Sequence, residues 1–226
     1  MRAAIYHFTD KSAKRPIVYQ KQLTALKEFA ESKGFDDVDI YCDKSLRRTE
    51  HKEFDRFMSS CSEYEALITK DFYHISRNTQ QSMKIMKDLL NKNVPVYSME
   101  NGRFFWEEVP VDQPLRVATY TTHFGEPHEI KQVVEVRNDI FKLYANKRTS
   151  WIITDQYYDE TLYKKDAEQI QLKKLIANKD LYDLLLVHNL GDVHWRTAKF
   201  CKIREQLQLD IYSLQNGFLK YTTEVP

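Results

Sequence analysis

The chain has 226 residues, 42% hydrophobic and 30% charged, with a formal net charge of +1. The length suits one large domain or two of roughly 110 residues, and the composition excludes a disordered or linker-rich chain. A charge near zero argues against a dedicated DNA-binding chain, because such affinity comes largely from neutralised phosphates.

In chain order, a short apolar strand is expected at residues 3–6. An amphipathic helix follows, with Tyr19, Leu23, Leu26 and Ala30 at spacings of three and four. A second strand over residues 38–42 leads to Asp43 and a polar loop, and a helix carries Phe54, Phe57 and Met58. Residues 66–69 read as a third strand. The next helix runs through Met83, Ile85, Met86, Leu89 and Leu90, and a last strand spans residues 94–98. The same series then begins again. Strands are expected at 117–120, 151–154, 184–187 and 210–213. The helices between them carry Val133, Val136, Ile140 and Leu143, then Leu172, Leu175 and Ile176, then Phe200, Ile203 and Leu207.

The repetition is visible in the residues themselves. Arg2-Ala3-Ala4-Ile5-Tyr6 reappears as Arg116-Val117-Ala118-Thr119-Tyr120, and Asp43 pairs with Asp155. Tyr64-Glu65-Ala66-Leu67-Ile68 pairs with Tyr182-Asp183-Leu184-Leu185-Leu186. Tyr97-Ser98-Met99-Glu100-Asn101-Gly102 pairs with Tyr212-Ser213-Leu214-Gln215-Asn216-Gly217. Alternating strands and helices imply an α/β chain of two tandem domains. Each is expected to hold a mostly parallel sheet of about four strands flanked by helices. The expected division is a first domain at 1–102, a linker at 103–114 and a second, more divergent copy at 115–226. Phe104, Phe105 and Trp106 in the linker are too apolar to stay wet. They are expected to form an interface on a domain or between the two, making an intramolecular pseudo-dimer.

Cys42, Cys61 and Cys201 form no Cys-x-x-Cys pair, so no structural zinc is expected. His188, Asp192 and His194 read as loop polarity rather than a metal cluster. No cofactor is expected. No apolar run approaches the ~20 residues of a membrane span, and nothing after Met1 reads as a secretory leader. The expectation is a cytoplasmic protein with no membrane association.

Residues 1–102 resemble the N-terminal catalytic domain of serine recombinases, the resolvase and invertase family. The strongest likeness is Leu67-Ile68-Thr69-Lys70-Asp71-Phe72-Tyr73-His74-Ile75-Ser76-Arg77-Asn78, which is similar to the family's strand followed by Leu-Asp-Arg-Leu-Ser-Arg-Asn. The resemblance implies that the family's chemistry has gone. Members attack a phosphodiester with a serine hydroxyl while arginines stabilise the developing charge. Against the family's Tyr-x-Arg-x-Ser, this chain has Tyr6-His7-Phe8-Thr9-Asp10. Phe8 stands where the arginine would be and Asp10 where the serine would be. Thr9 is a hydroxyl one place early. Asp43 is kept, His51 replaces a second arginine, and His74 stands in the third cluster, where only Arg77 survives.

The resemblance therefore implies a degenerate pocket of Tyr6, Phe8, Thr9, Asp10, Asp43, His51, His74 and Arg77, with no catalytic residue expected. Arg77, Arg47 and Arg48 are the residues left for phosphate, and DNA binding is expected to be weak or absent. The implied role is protein interaction in DNA recombination or a bacterial mobile element, with an active serine recombinase or another protein as partner. The alternative is an active strand-transfer enzyme or nucleic-acid binder whose pocket is rebuilt from His7, Thr9, Asp43 and Arg77.

Overall fold

A computed structural model describes residues 1–8, 16–43, 51–108, 114–148, 150–161 and 168–222; for residues 16, 17, 124, 127 and 161 only the backbone is described. Contacts divide the chain into two compact units. One is made of most of residues 1–104, the other of most of residues 105–222.

The first unit contains β1 (Arg2–Phe8), α1 (Pro16–Ser32), β2 (Asp37–Asp43), α2 (Lys52–Ser60), β3 (Ala66–Thr69), α3 (Thr79–Asn91), β4 (Val96–Ser98) and β5 (Gly102–Arg103). Its five strands run in the order β2-β1-β3-β4-β5. The first four are parallel, and β5 is antiparallel to β4. Central β3 is an unbroken buried run, Ala66-Leu67-Ile68-Thr69, as expected of a strand covered on both faces. Alternation along β1 sends Ala3 and Ile5 to the face covered by α1. There they pack with Leu26, Ala30, Phe35, Ala66 and Ile68.

The second unit contains β6 (Phe105–Glu107), β7 (Leu115–Phe124), α4 (Pro127–Asn146), β8 (Trp151–Thr161), α5 (Ile170–Ala177), β9 (Leu184–Val187), α6 (Leu190–Val193), α7 (Thr197–Leu207), β10 (Asp210–Ser213) and β11 (Gly217–Lys220). Its six strands run β6-β11-β10-β9-β7-β8. β8, β7, β9 and β10 are parallel, and β11 and β6 are antiparallel additions.

Each sheet thus exceeds the expected four strands by antiparallel pieces at one edge. β5 and β11 arise from an Asn-Gly turn after each last parallel strand, which folds the chain back, and β6 adds to β11. Gly102 and Gly217 hold φ of +68° and +84°. The Ser98 hydroxyl accepts the Asn101 amide at 2.9 Å, and Ser213 accepts that of Asn216 at 3.1 Å.

Of the segment expected to be a linker, Arg103 lies on β5 and residues 105–107 form β6, while residues 109–113 lie outside the described residues. Phe104 is buried in the first unit, its ring centroid 4.5 Å from that of Phe72. Phe105 and Trp106 lie on β6, whose partner is β11. Helix α4 also departs from expectation. Ile130, Val134, Phe141 and Ala145 are its buried positions, while Val136 and Leu143 are about 60% exposed. The helix carries two apolar stripes. The one holding the large Phe141 ring packs with Val117, Trp151 and Leu186.

Candidate functional site

The strand order β2-β1-β3-β4 reverses direction between β1 and β3. In parallel sheets of this type, ligands collect outside the carboxyl ends of the strands at that point. The residues at those ends separate onto two faces, because neighbours on a strand point in opposite directions.

On the α2 face, the Tyr6 ring lies 4.8 Å from Phe54, and its hydroxyl donates to Asp43 Oδ2 at 3.1 Å. The same hydroxyl is 3.1 Å from His51 Nδ1. Asp43 also accepts the backbone amides of Glu53 at 3.0 Å and Phe54 at 3.1 Å. Those amides belong to the first turn of α2 and lack partners within the helix. Asp43 therefore caps α2 from the end of β2, and its carboxylate is occupied by three donors. Phe8 is buried, 6.2 Å from the His51 ring.

On the α1 face, His7 is 1% exposed. Its ring lies edge-on to His74 at 5.2 Å and tilted against Tyr19 at 5.7 Å. Burial, reinforced by His74 and Lys70, lowers the His7 pKa to about 4. His7 is thus neutral at neutral pH. His74 sits beside Asp71, which accepts its backbone amide at 3.1 Å and lies 3.9 Å from Nε2. Arg77 is exposed, its guanidinium 5.4 Å over the Tyr73 ring. His7 and His74 thus share one face, while His51 joins Tyr6 and Asp43 on the other. Thr9, Asp10, Arg47 and Arg48 lie outside the described residues.

The second unit holds a parallel arrangement. Tyr120 donates to Asp159 Oδ2 at 2.9 Å, and Asp159 accepts the amides of Gln171 at 2.9 Å and Leu172 at 3.0 Å. Gln169 Nε2 reaches the Tyr120 hydroxyl at 3.1 Å, where His51 reaches Tyr6. Burial and then Asp159 raise the Tyr120 pKa far above the ordinary phenol value.

These contacts correct the match of Asp43 to Asp155. Asp155 lies inside β8 and accepts from the Tyr182 hydroxyl at 2.9 Å, which in turn is 2.6 Å from that of Tyr157. Asp39, Tyr64 and Tyr41 make the same chain at 2.8 and 2.7 Å. Asp155 thus corresponds to Asp39, and Asp159 to Asp43. The sequence reading ended the strand at residue 154, seven residues short of its observed end. Asp159, Gln169 and Arg137 were not singled out. The signal available for Asp159 was its place after Tyr157, mirroring Asp43 after Tyr41.

Where the first unit packs buried His7 against His74, the second holds an ion pair with a buried carboxylate. Arg137 lies 3.4 Å from Asp192 and donates to the Thr122 carbonyl at 3.2 Å. Burial raises the Asp192 pKa despite that arginine. Asp192 also closes a capping box with Asn189. His188 is engaged instead with Gln215, 3.2 Å away. Among the described residues, no three His, Cys, Asp or Glu side chains stand together as a metal site, and no helix is long and apolar enough to cross a membrane.

Residues 12–119 match the family model described as "Resolvase, N terminal domain", so this segment is serine-recombinase-like. The match begins after the Tyr6–Asp10 stretch and extends into β7. Among solved structures, the N-terminal catalytic domain of TP901-1 integrase is 20% identical. The alignment covers 43% of this chain and 76% of that one, with a TM-score of 0.37. The C-terminal catalytic domain of ISC1926 TnpA, an IS607-like serine recombinase, is 17% identical over 45% of this chain and 72% of that one, with a TM-score of 0.39. A Caulobacter myo-inositol binding protein is 16% identical over 94% of this chain and 74% of that one, with a TM-score of 0.31. No curated protein sequence matches the chain.

Proposed function

We propose, from a chain whose residues 12–119 are serine-recombinase-like, that this protein has lost DNA strand transfer and acts through protein interaction. Its setting is site-specific recombination or a mobile element, and its partner is an active serine recombinase or another protein of that machinery. The observation that carries this reading is the closed Tyr6–Asp43–His51 group beside buried Phe8. Where the resemblance calls for an arginine aimed at phosphate, the chain has a buried phenyl ring. The nearest buried base, His7, is neutral and cannot replace that positive charge.

The second unit is read as a divergent copy of the first. Support comes from the shared order of the four parallel strands and the Tyr–Asp pair that caps a helix in each. The Tyr–Tyr–Asp chains and the Ser-x-x-Asn-Gly turns add to it. A formal charge of +1 supports weak, non-specific DNA binding.

The test is incubation of the purified full chain with supercoiled plasmid and with short duplexes, followed by a search for a covalent protein–DNA adduct under denaturing conditions. No adduct and no strand transfer are expected. An adduct that disappears in Thr9→Ala would overturn the proposal and establish the alternative of a rebuilt active pocket.

A further inference from the structure

A cleft of about 320 Å³ opens in the second unit between α5 and α7. It is large enough for a small molecule. Its walls follow from helical spacing. Leu172 and Ile176 are one turn apart on α5, with Lys173 three residues from Ile176. On α7, Lys199 and Lys202 are three apart, and Ile203 is one turn from Lys199. Each helix thus contributes an apolar strip and an exposed basic margin. Leu172 is buried, whereas Ile176 and Ile203 are only half-buried, so apolar surface remains open at the cleft.

The charge of the lining is one-sided. Among the described residues, Lys173, Lys199 and Lys202 stand against a single carboxylate, Glu168. At the same wall, the backbone amide of Arg196 donates to His194 Nδ1 at 2.9 Å. The neutral ring therefore carries its proton on Nε2 and can donate from there. Burial, together with Lys199 and Arg196, lowers the His194 pKa to about 4, in keeping with a positive local field. The Gln169 amide is already used by the Tyr120 hydroxyl and the Val193 carbonyl. An anion with an apolar body fits both halves of the lining.

We propose that the cleft between α5 and α7 binds a small organic anion, an alkyl or acyl chain ending in a carboxylate or phosphate. Lys173, Lys199 and Lys202 hold the headgroup, and Leu172, Ile176 and Ile203 hold the chain. This inference stands independently of the recombinase reading.

The test is calorimetric titration of the full chain with octanoate, octyl phosphate, octan-1-ol and inorganic phosphate. The two octyl anions are expected to bind, with the alcohol and inorganic phosphate at least about tenfold weaker. In the double variant Lys199→Gln/Lys202→Gln, both positions being exposed, affinity for the octyl anions is expected to fall at least about fivefold. Equal binding of octan-1-ol would remove the role of charge, and equal binding of inorganic phosphate that of the apolar strip. Unchanged affinity in the double variant, or no binding of either octyl anion at millimolar concentration, would overturn the proposal.

Discussion

The Tyr120 hydroxyl donates to the Asp159 carboxylate at 2.9 Å, so one aspartate fixes both a core tyrosine and the start of the next helix. Replacing it by alanine strands two helix amides and a buried hydroxyl. The expected cost of Asp159→Ala is about 2–4 kcal/mol, read from urea unfolding followed by circular dichroism. Asp43→Ala should cost about the same. Losses under about 0.5 kcal/mol would show that these carboxylates do not act as caps.

His7 predicts a pH dependence of stability. Its pKa is about 4 in the fold against an ordinary value of 6.5. In that window the unfolded chain binds a proton that the folded chain does not. Stability is therefore full above about 6.5 and is lost as pH falls toward 4. His194 shifts the same way, so the contribution of His7 is isolated by comparison with His7→Gln. The variant should lose on the order of 2 kcal/mol less than the parent between pH 6.5 and 4.5. Equal slopes for the two proteins would refute this.

Arg148 sits among three rings, its guanidinium 4.8 Å from the centroids of Tyr144 and Trp151 and 5.0 Å from that of Tyr212. It also donates to the Tyr212 hydroxyl at 3.2 Å. Arg148→Ala is expected to cost about 1–3 kcal/mol. Arg148→Lys should recover only part of that, because an ammonium lacks the flat face that stacks on a ring. Full rescue by lysine would show that charge alone matters.

Gln208 ends α7 with φ of +53°, its amide donating to the Arg204 carbonyl at 3.1 Å. Glycine takes that conformation without a Cβ penalty. Gln208→Gly should raise stability by roughly 0.5–1 kcal/mol in thermal or urea melts. No gain, or a loss, would mean that the Lys179 contact to the Gln208 side chain outweighs the backbone effect.

Much of the architecture was legible because its signals are local. Residues 66–69 and 184–187 were read as buried strands from uninterrupted apolar runs, and both are β-strands with every residue buried. The buried positions of α1 and α2 followed from their spacing. The separation of Tyr6 from His7 was also available, since adjacent residues on a strand face opposite ways.

The sequence by itself determined the alternation of strands and helices and the apolar cores of the sheets. Only the tertiary structure decided which of two apolar stripes on α4 is buried. Both have helical spacing, and the choice rests on the fit of Phe141 among Val117, Trp151 and Leu186. Likewise, Asp155 and Asp159 lie on the same face of β8, four residues apart. Spacing cannot tell which one caps α5; the reach to the free amides of Gln171 and Leu172 settles it for Asp159. The antiparallel edge strands were decided in the same way. An Asn-Gly pair permits a return, but a strand forms only where a neighbouring backbone is placed to receive its hydrogen bonds.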